Sequence, residues 1–240
     1  MGTENPSLPF WKDHLKGAPT SAIGPLQLTG MSQPSMNDVS VELTISQPPL
    51  LSGITCSTFV KAALVWVLAQ QAESSGIILG QVVHGCGGSL PNIDRTLGPC
   101  LNQLPLRVML DAEWTVEDLL RDVQGRQVEI VANDNVSFEQ IVRNCTSWHE
   151  GSTFGCFVHH QGLAMSETAA VMEISGIKSS SGPSWATSRM AAGQVGVVSI
   201  EHESCLAVRI TAAENTLDQS SLNHLGKKVV DAIELFAGSP

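Results

Sequence analysis

The sequence predicts a single α+β (mixed α/β) domain over residues 1–240, with a loop-rich opening segment at 1–50 and a core at 51–240. Three observations carry this expectation. Strand-like and helix-like segments alternate without a strict strand–helix–strand repeat. One helix-length stretch is apolar on every side and must therefore be covered on every side. Apolar residues make up 42% of the 240 and charged residues only 15%, a composition that folds rather than remaining disordered.

Seven of the twelve prolines lie between Pro6 and Pro49, so this stretch reads as loops around a short amphipathic helix at Phe10 to Leu15. Val39, Val41, Leu43 and Ile45 alternate with polar neighbours, the period of a half-buried strand. Ile54 to Gln71 is the all-round apolar helix, with Thr55 or Ser57 placed to cap it. Ile77 to Val83 and Leu104 to Leu110 read as strands, the first ending at a cluster of glycines. Thr115 with Asp118 forms a capping box for a helix whose apolar face is Leu119, Leu120, Val123, Ile130 and Val131. Ser137 with Gln140 opens a short helix ending near Asn144. Phe154 to His160 is a strand, and Val195 to Ile200 with Leu206 to Ile210 a hairpin turning at Glu203 and Ser204. Asp218 opens a last helix with Leu222, Leu225, Val229, Ile233 and Phe236 on one stripe.

Composition also excludes. No apolar run reaches the ~18 residues that cross a bilayer; the longest, Phe59 to Ala69, is interrupted by Lys61. Met1 to Asp13 lacks a basic segment followed by an apolar one, so no secretion signal is read and a cytoplasmic protein is expected. The formal charge is −10 and the few cations are scattered, which argues against nucleic acid as a partner. Membrane partners are not expected either. The six cysteines (Cys56, Cys86, Cys100, Cys145, Cys156, Cys205) form no CxxC pair and read as free thiols in apolar surroundings. No metal-ligand spacing and no phosphate loop is present, so no cofactor is expected.

Several stretches, in order, resemble the second half of the condensation domains of nonribosomal peptide synthetases. Phe10-Trp11-Lys12-Asp13-His14-Leu15-Lys16-Gly17 resembles the segment that opens that half. Gly53 to Ala63 resembles the start of its long buried helix, and Gly80 to Cys86 its "FGxVVSGR" strand. Gly98 to Val108 is close to "GPCxNxxPxRV" and is the most specific piece. Val136-Ser137-Phe138-Glu139 resembles the following "PFE", and Phe154 to Gln161 the fungal-type strand ending in "HQ". The resemblance implies one lobe of a chloramphenicol acetyltransferase-like fold, a mixed sheet around a buried helix. In such domains two lobes form a V, and carrier proteins deliver an acyl donor and an acceptor from opposite ends of the tunnel between them.

The departures from the family pattern matter. The family's proton-handling histidine lies in an HHxxxDG motif of the first lobe. Here the only paired histidines, His159-His160, are followed by Ala164 and Met165 where the motif has Asp and Gly. Cys86 stands where the family commonly has an Arg expected to pair with that Asp across the lobes. A buried cation without its carboxylate is costly, so the loss of both is coherent with a lobe that acts alone.

His159 and His160 are the catalytic candidates. Adjacent on a strand, they point to opposite faces, so at most one looks into a cleft; the other reading is a hydrogen-bonded histidine at a strand end. His84, Asn102 and Trp185 are the substrate-binding candidates. Asn102 either donates to a substrate carbonyl or satisfies neighbouring backbone. Arg107 reads as a link between elements. Ser175 to Ser184, before Trp185, reads as a surface loop, mobile over a pocket or plainly flexible.

The expected function is acyl transfer or cyclisation of an amine-bearing intermediate in secondary-metabolite biosynthesis. The expected partner is a small molecule or carrier-bound peptide intermediate, with a partner lobe or a homodimer rebuilding the V. The alternatives are a non-catalytic module that holds a carrier protein or hydrophobic intermediate, and a fragment without function.

Overall fold

The computed structural model describes residues 5–19, 37–49, 53–84, 101–162, 171–174, 177–180, 190–191 and 193–238, with backbone alone at 84, 171–174 and 177–180. Its centre is a six-stranded mixed sheet in the order β1-β8-β7-β4-β2-β3. These strands are β1 (Asp38–Ser46), β2 (Gly76–His84), β3 (Leu101–Met109), β4 (Cys156–Gln161), β7 (Val195–Glu201) and β8 (Cys205–Ala213). The middle pairs β2/β4 and β4/β7 are parallel, and the outer pairs β1/β8, β7/β8 and β2/β3 are antiparallel. The helices are α1 (Leu8–His14), α2 (Cys56–Ala72), α3 (Val116–Val131), α4 (Phe138–Cys145) and α5 (Gln219–Ala237).

Helix α2 is buried along nearly its whole length, from Cys56 to Ala69; Trp66 alone among its large apolar side chains is exposed. Thr55 sits at its N-cap position but does not cap it. The hydroxyl instead meets Thr58 and Gln124 Oε1. Both expected capping boxes form, Thr115 with Asp118 and Ser137 with Gln140. Asp218 accepts from Ser221 N–H at the start of α5, whose stripe of Leu222, Leu225, Val229, Ile233 and Phe236 is buried. Val131, expected on the apolar face of α3, is 42% exposed, because the stripe ends at Ile130 as the chain leaves the core. Among the described residues the thiols of Cys56, Cys156 and Cys205 are free, and the Cys145 thiol donates to the Leu8 carbonyl.

The loop expected over 175–184 is a strand in part. β5 (Val171–Ile174) and β6 (Ile177–Ser180) form an antiparallel two-stranded sheet of their own. Serine-rich composition suggests a loop, but strand pairing satisfies its backbone equally well, and composition does not register that.

Strand β3 closes the sheet on one side, and α1 protects that edge. His14 accepts from Arg107 N–H (3.3 Å) at Nε2, with the Pro105 backbone beside the ring. One imidazole thus stands where the next strand would hydrogen-bond. Pro105 is tolerated here because its missing N–H shares the outward direction of Arg107 N–H, two residues on. Burial, with Arg126 and Arg107 nearby, holds the His14 pKa down to about 4, so the ring is neutral at pH 7 and one nitrogen is free to accept.

Candidate functional site

The sheet's parallel centre places the two candidate histidines. In β4, Val158 and His160 face α2, and Phe157 and His159 face the other way. The register sets His159 beside Val198 and His160 beside Ser199.

His160 is locked. Its Nδ1 lies 2.9 Å from Ser199 Oγ, and its Nε2 lies 3.5 Å from Glu201 Oε2. The tautomer that fits both contacts carries the proton on Nε2 and accepts from the serine hydroxyl at Nδ1. A neighbouring carboxylate would favour the imidazolium. Burial outweighs it, with Lys61 and His159 adding to the effect, and the pKa falls to about 4. His160 is therefore neutral at pH 7, with both nitrogens occupied.

Beside it runs a buried polar axis with no counterpart among the candidates read from the sequence. Lys61, in the middle of α2, is 6% exposed and donates to Gln81 Oε1 of β2 (2.8 Å) and to Gln127 Oε1 of α3. Burial lowers its amine to about 7. Gln127 Nε2 donates to Thr58, and Thr58 in turn donates to Gln124. Gln81 is 1% exposed, and its Nε2 is buried without an acceptor. Across the sheet, Glu201 Oε1 accepts from Gln47 (2.7 Å). The signal for this axis was in the sequence: a lysine inside a helix buried on every side must find acceptors inside the protein.

His159 occupies a different setting. Phe157 and Val82 on its face of the sheet, and Val198 beside it, are half-buried, as is His159 itself. On the α2 face, Val158, Gln81, Val197 and Ser199 are each at most 1% exposed. Both rings are themselves half-buried, and the Nε2 of His159 is buried, so the two faces differ in the neighbours each histidine has rather than in the exposure of the rings. On the same face Phe154 covers Gly80 so closely that a Cβ there would stand 2.5 Å from the ring. Phe138, at the start of α4, stacks on Phe154 at 4.3 Å.

His84 ends β2, paired in register with Leu101. Asn102 of β3 donates to the carbonyls of Asp134 and Val136 (2.9 Å each) and accepts from Gln103 N–H. Its amide thus ties the turn between α3 and α4 to the sheet. Arg107 donates to the His14 and Lys16 carbonyls, linking β3 to α1. Trp185 and Cys86 lie outside the described residues.

Residues 9–240 match the family model described as the condensation domain. The chain belongs to the condensation-domain family. Among curated relatives it is 38% identical over 176 residues to the nonribosomal peptide synthetase opaA of Aspergillus ustus, covering 69% of this chain and 4% of that one. It is 32% identical over 240 residues to the malformin synthetase mlfA of Aspergillus sclerotiicarbonarius, covering 97% of this chain and 4% of that one. The crystal structure of CT superposes with a TM-score of 0.80 at 25% identity, covering 98% of this chain and 51% of that chain. The starter condensation domain of rhizomide synthetase RzmA superposes with a TM-score of 0.68 at 12% identity, covering 97% of this chain and 51% of that chain, a likeness of fold. This chain is thus a partial condensation domain, about half the length of the solved chains and a small part of the curated synthetases.

Proposed function

We propose that this condensation-domain chain is the second lobe of its fold and forms one wall of the cleft in which an acyl thioester meets an amine. In the reaction the amine nitrogen attacks the thioester carbonyl, the C–N bond forms, the C–S bond breaks, and the thiol leaves with the proton lost by the amine. His159 is the residue of this lobe suited to touch the reacting groups, and His160 is a positioning residue. The observation that carries this reading is the opposite placement of the two rings. His160 is neutral and held by Ser199 and Glu201 beneath α2, while His159 lies on the half-buried opposite face. Histidine is the side chain chemically suited to move a proton to or from a reacting amine.

The test uses the purified 240-residue chain with an aminoacyl-pantetheine thioester and an amine acceptor, comparing wild type with His159→Ala, His160→Ala and His84→Ala. We expect amide formation in the wild type and a loss of about 100-fold in His159→Ala, with a smaller loss in His160→Ala. Turnover that none of the three changes would end histidine chemistry in this lobe.

A second reading, a non-catalytic module holding a carrier-bound or hydrophobic intermediate, is supported by Ala164 and Met165 in place of the motif's Asp and Gly. Saturable thioester binding without turnover would favour it. A monomer mass in solution would remove the homodimer as the means of completing the cleft.

A further inference from the structure

A groove of about 560 Å³ opens between α1, the β3 edge and α3, away from the histidine pair. Its volume is within the range of small-ligand sites. Arg107 and Arg126 enter it from β3 and α3, Phe10 and Met109 contribute apolar surface, and the exposed Asp13 and Glu129 stand at its rim. The two guanidinium groups lie close enough to repel each other, yet they are neutralised unequally. Arg126 pairs with Asp122 at 2.6 Å. Arg107 has no carboxylate partner among the described residues. A single nitrogen, Nη1, makes both of its bonds to the His14 and Lys16 carbonyls, and the rest of its fork is unused. His14 adds no charge, since it is neutral at pH 7 and its ring lies stacked 5.3 Å from Phe10.

A planar fork with unused N–H groups beside an apolar surface matches a carboxylate carried next to an apolar side chain. The acidic rim repels a highly charged anion far more than a single carboxylate. We infer that the α1–β3–α3 groove binds an α-carboxylate flanked by an apolar side chain, with Arg107 and Arg126 holding the carboxylate and Phe10 and Met109 the side chain. Two sources share this chemistry, a free amino acid and the C-terminus of a peptide. This inference does not depend on the acyl-transfer reading, because none of its residues is in β4.

The test is a titration of the 15N-labelled chain with N-acetyl-leucine, N-acetyl-leucinamide and free leucine, followed by backbone amide shifts. N-acetyl-leucine is expected to give saturable shifts around His14, Arg107 and Ala132, and its amide to bind about tenfold more weakly, since it cannot engage the fork. Arg126→Gln leaves the backbone ties of Arg107 in place and should weaken the carboxylate about tenfold. Asp13→Asn with Glu129→Gln should strengthen N-acetyl-leucine a few-fold by removing rim repulsion. Tighter binding of free leucine would assign the rim acids to its ammonium and the site to a free amino acid; tighter binding of the acetylated form would assign it to a peptide terminus. Equal binding of carboxylate and amide, or no saturable shift up to about 20 mM, would overturn the inference.

Discussion

Helices α2 and α5 both pack on the sheet, and the two halves of the core they cover are built on different principles. Beneath α5 the contacts are apolar: Leu222, Leu225, Val229, Ile233 and Phe236 meet the β1–β8 side of the sheet. Beneath α2 the apolar packing is crossed by Lys61, Gln81, Gln127, Ser199, His160 and Glu201. An apolar interface holds by area and is indifferent to pH. A buried polar axis holds only while every member keeps its partner and its protonation state. The half of the core that carries the candidate histidines is therefore the half whose stability titrates.

The largest effect expected from this contrast is acid sensitivity confined to the α2 half and the β3 edge. His160 and His14 are both lowered from 6.5 to about 4. Between those values the unfolded chain takes up protons that the folded chain refuses. Their stabilisation is therefore complete above pH 6.5 and is lost as the pH falls toward 4, by at most about 3 kcal/mol for each ring. Urea unfolding midpoints at fixed ionic strength from pH 7 to pH 4 measure this. His160→Gln should remove roughly half of the slope. Val229→Ala, beneath α5, should lower stability by about 1–3 kcal/mol at every pH and leave the slope unchanged. A His160→Gln variant with the full wild-type slope would show that the titrating groups lie elsewhere.

The polar axis itself gives a smaller, sharper prediction. Lys61→Met removes the donor to Gln81 and Gln127 and leaves Gln81 buried with neither end of its amide satisfied. The single variant should lose about 1–3 kcal/mol. Lys61→Met combined with Gln81→Leu should recover most of it, since replacing both partners of a buried polar pair with apolar groups is often neutral or better. Because burial lowers Lys61 from 10.5 to about 7, wild-type stability should also rise with pH across that interval, and both variants should lack the rise. A double variant less stable than the single would show that the axis stabilises the fold in its own right.

How much of this was legible in the sequence differs between the same two halves. The α5 stripe, both capping boxes and the alternation of β1 follow from periods of 3.6 and 2 and from local side-chain-to-backbone bonding, so they read directly. The resemblance over Gly98 to Val108 placed the chain in its family, and the alternation of β4 put the two histidines on opposite faces. What did not read was everything that needs a third dimension. Lys61 was visible as an interruption, but its acceptors come from residues 20 and 66 positions away in the chain. Ser199 and Glu201 were ordinary polar positions until β7 came to lie parallel beside β4. His14 looked like part of a helix motif, and its bonding of a strand edge 93 residues away is purely tertiary.

Two glycines offer the finest comparison of the halves. Gly80 in β2 lies under Phe154, whose Cδ2, Cγ and Cβ would stand 2.5, 2.6 and 3.1 Å from an added methyl. These atoms lie close to the backbone of Phe154, and Phe138 stacks on the ring, so the ring has nowhere to turn. Gly226 in α5 faces Leu43 Cδ1 at 2.9 Å and Val41 Cγ1 at 3.0 Å, both methyl groups at the ends of side chains that can rotate. Gly80→Ala should therefore cost about 1–3 kcal/mol by overpacking. Gly226→Ala should stay within about 1 kcal/mol of wild type, because the helix propensity gained over glycine offsets the crowding. Thermal unfolding of the two variants at pH 7 compares them, and equal losses would mean that the aromatic stack over β2 yields as readily as the aliphatic contact under α5.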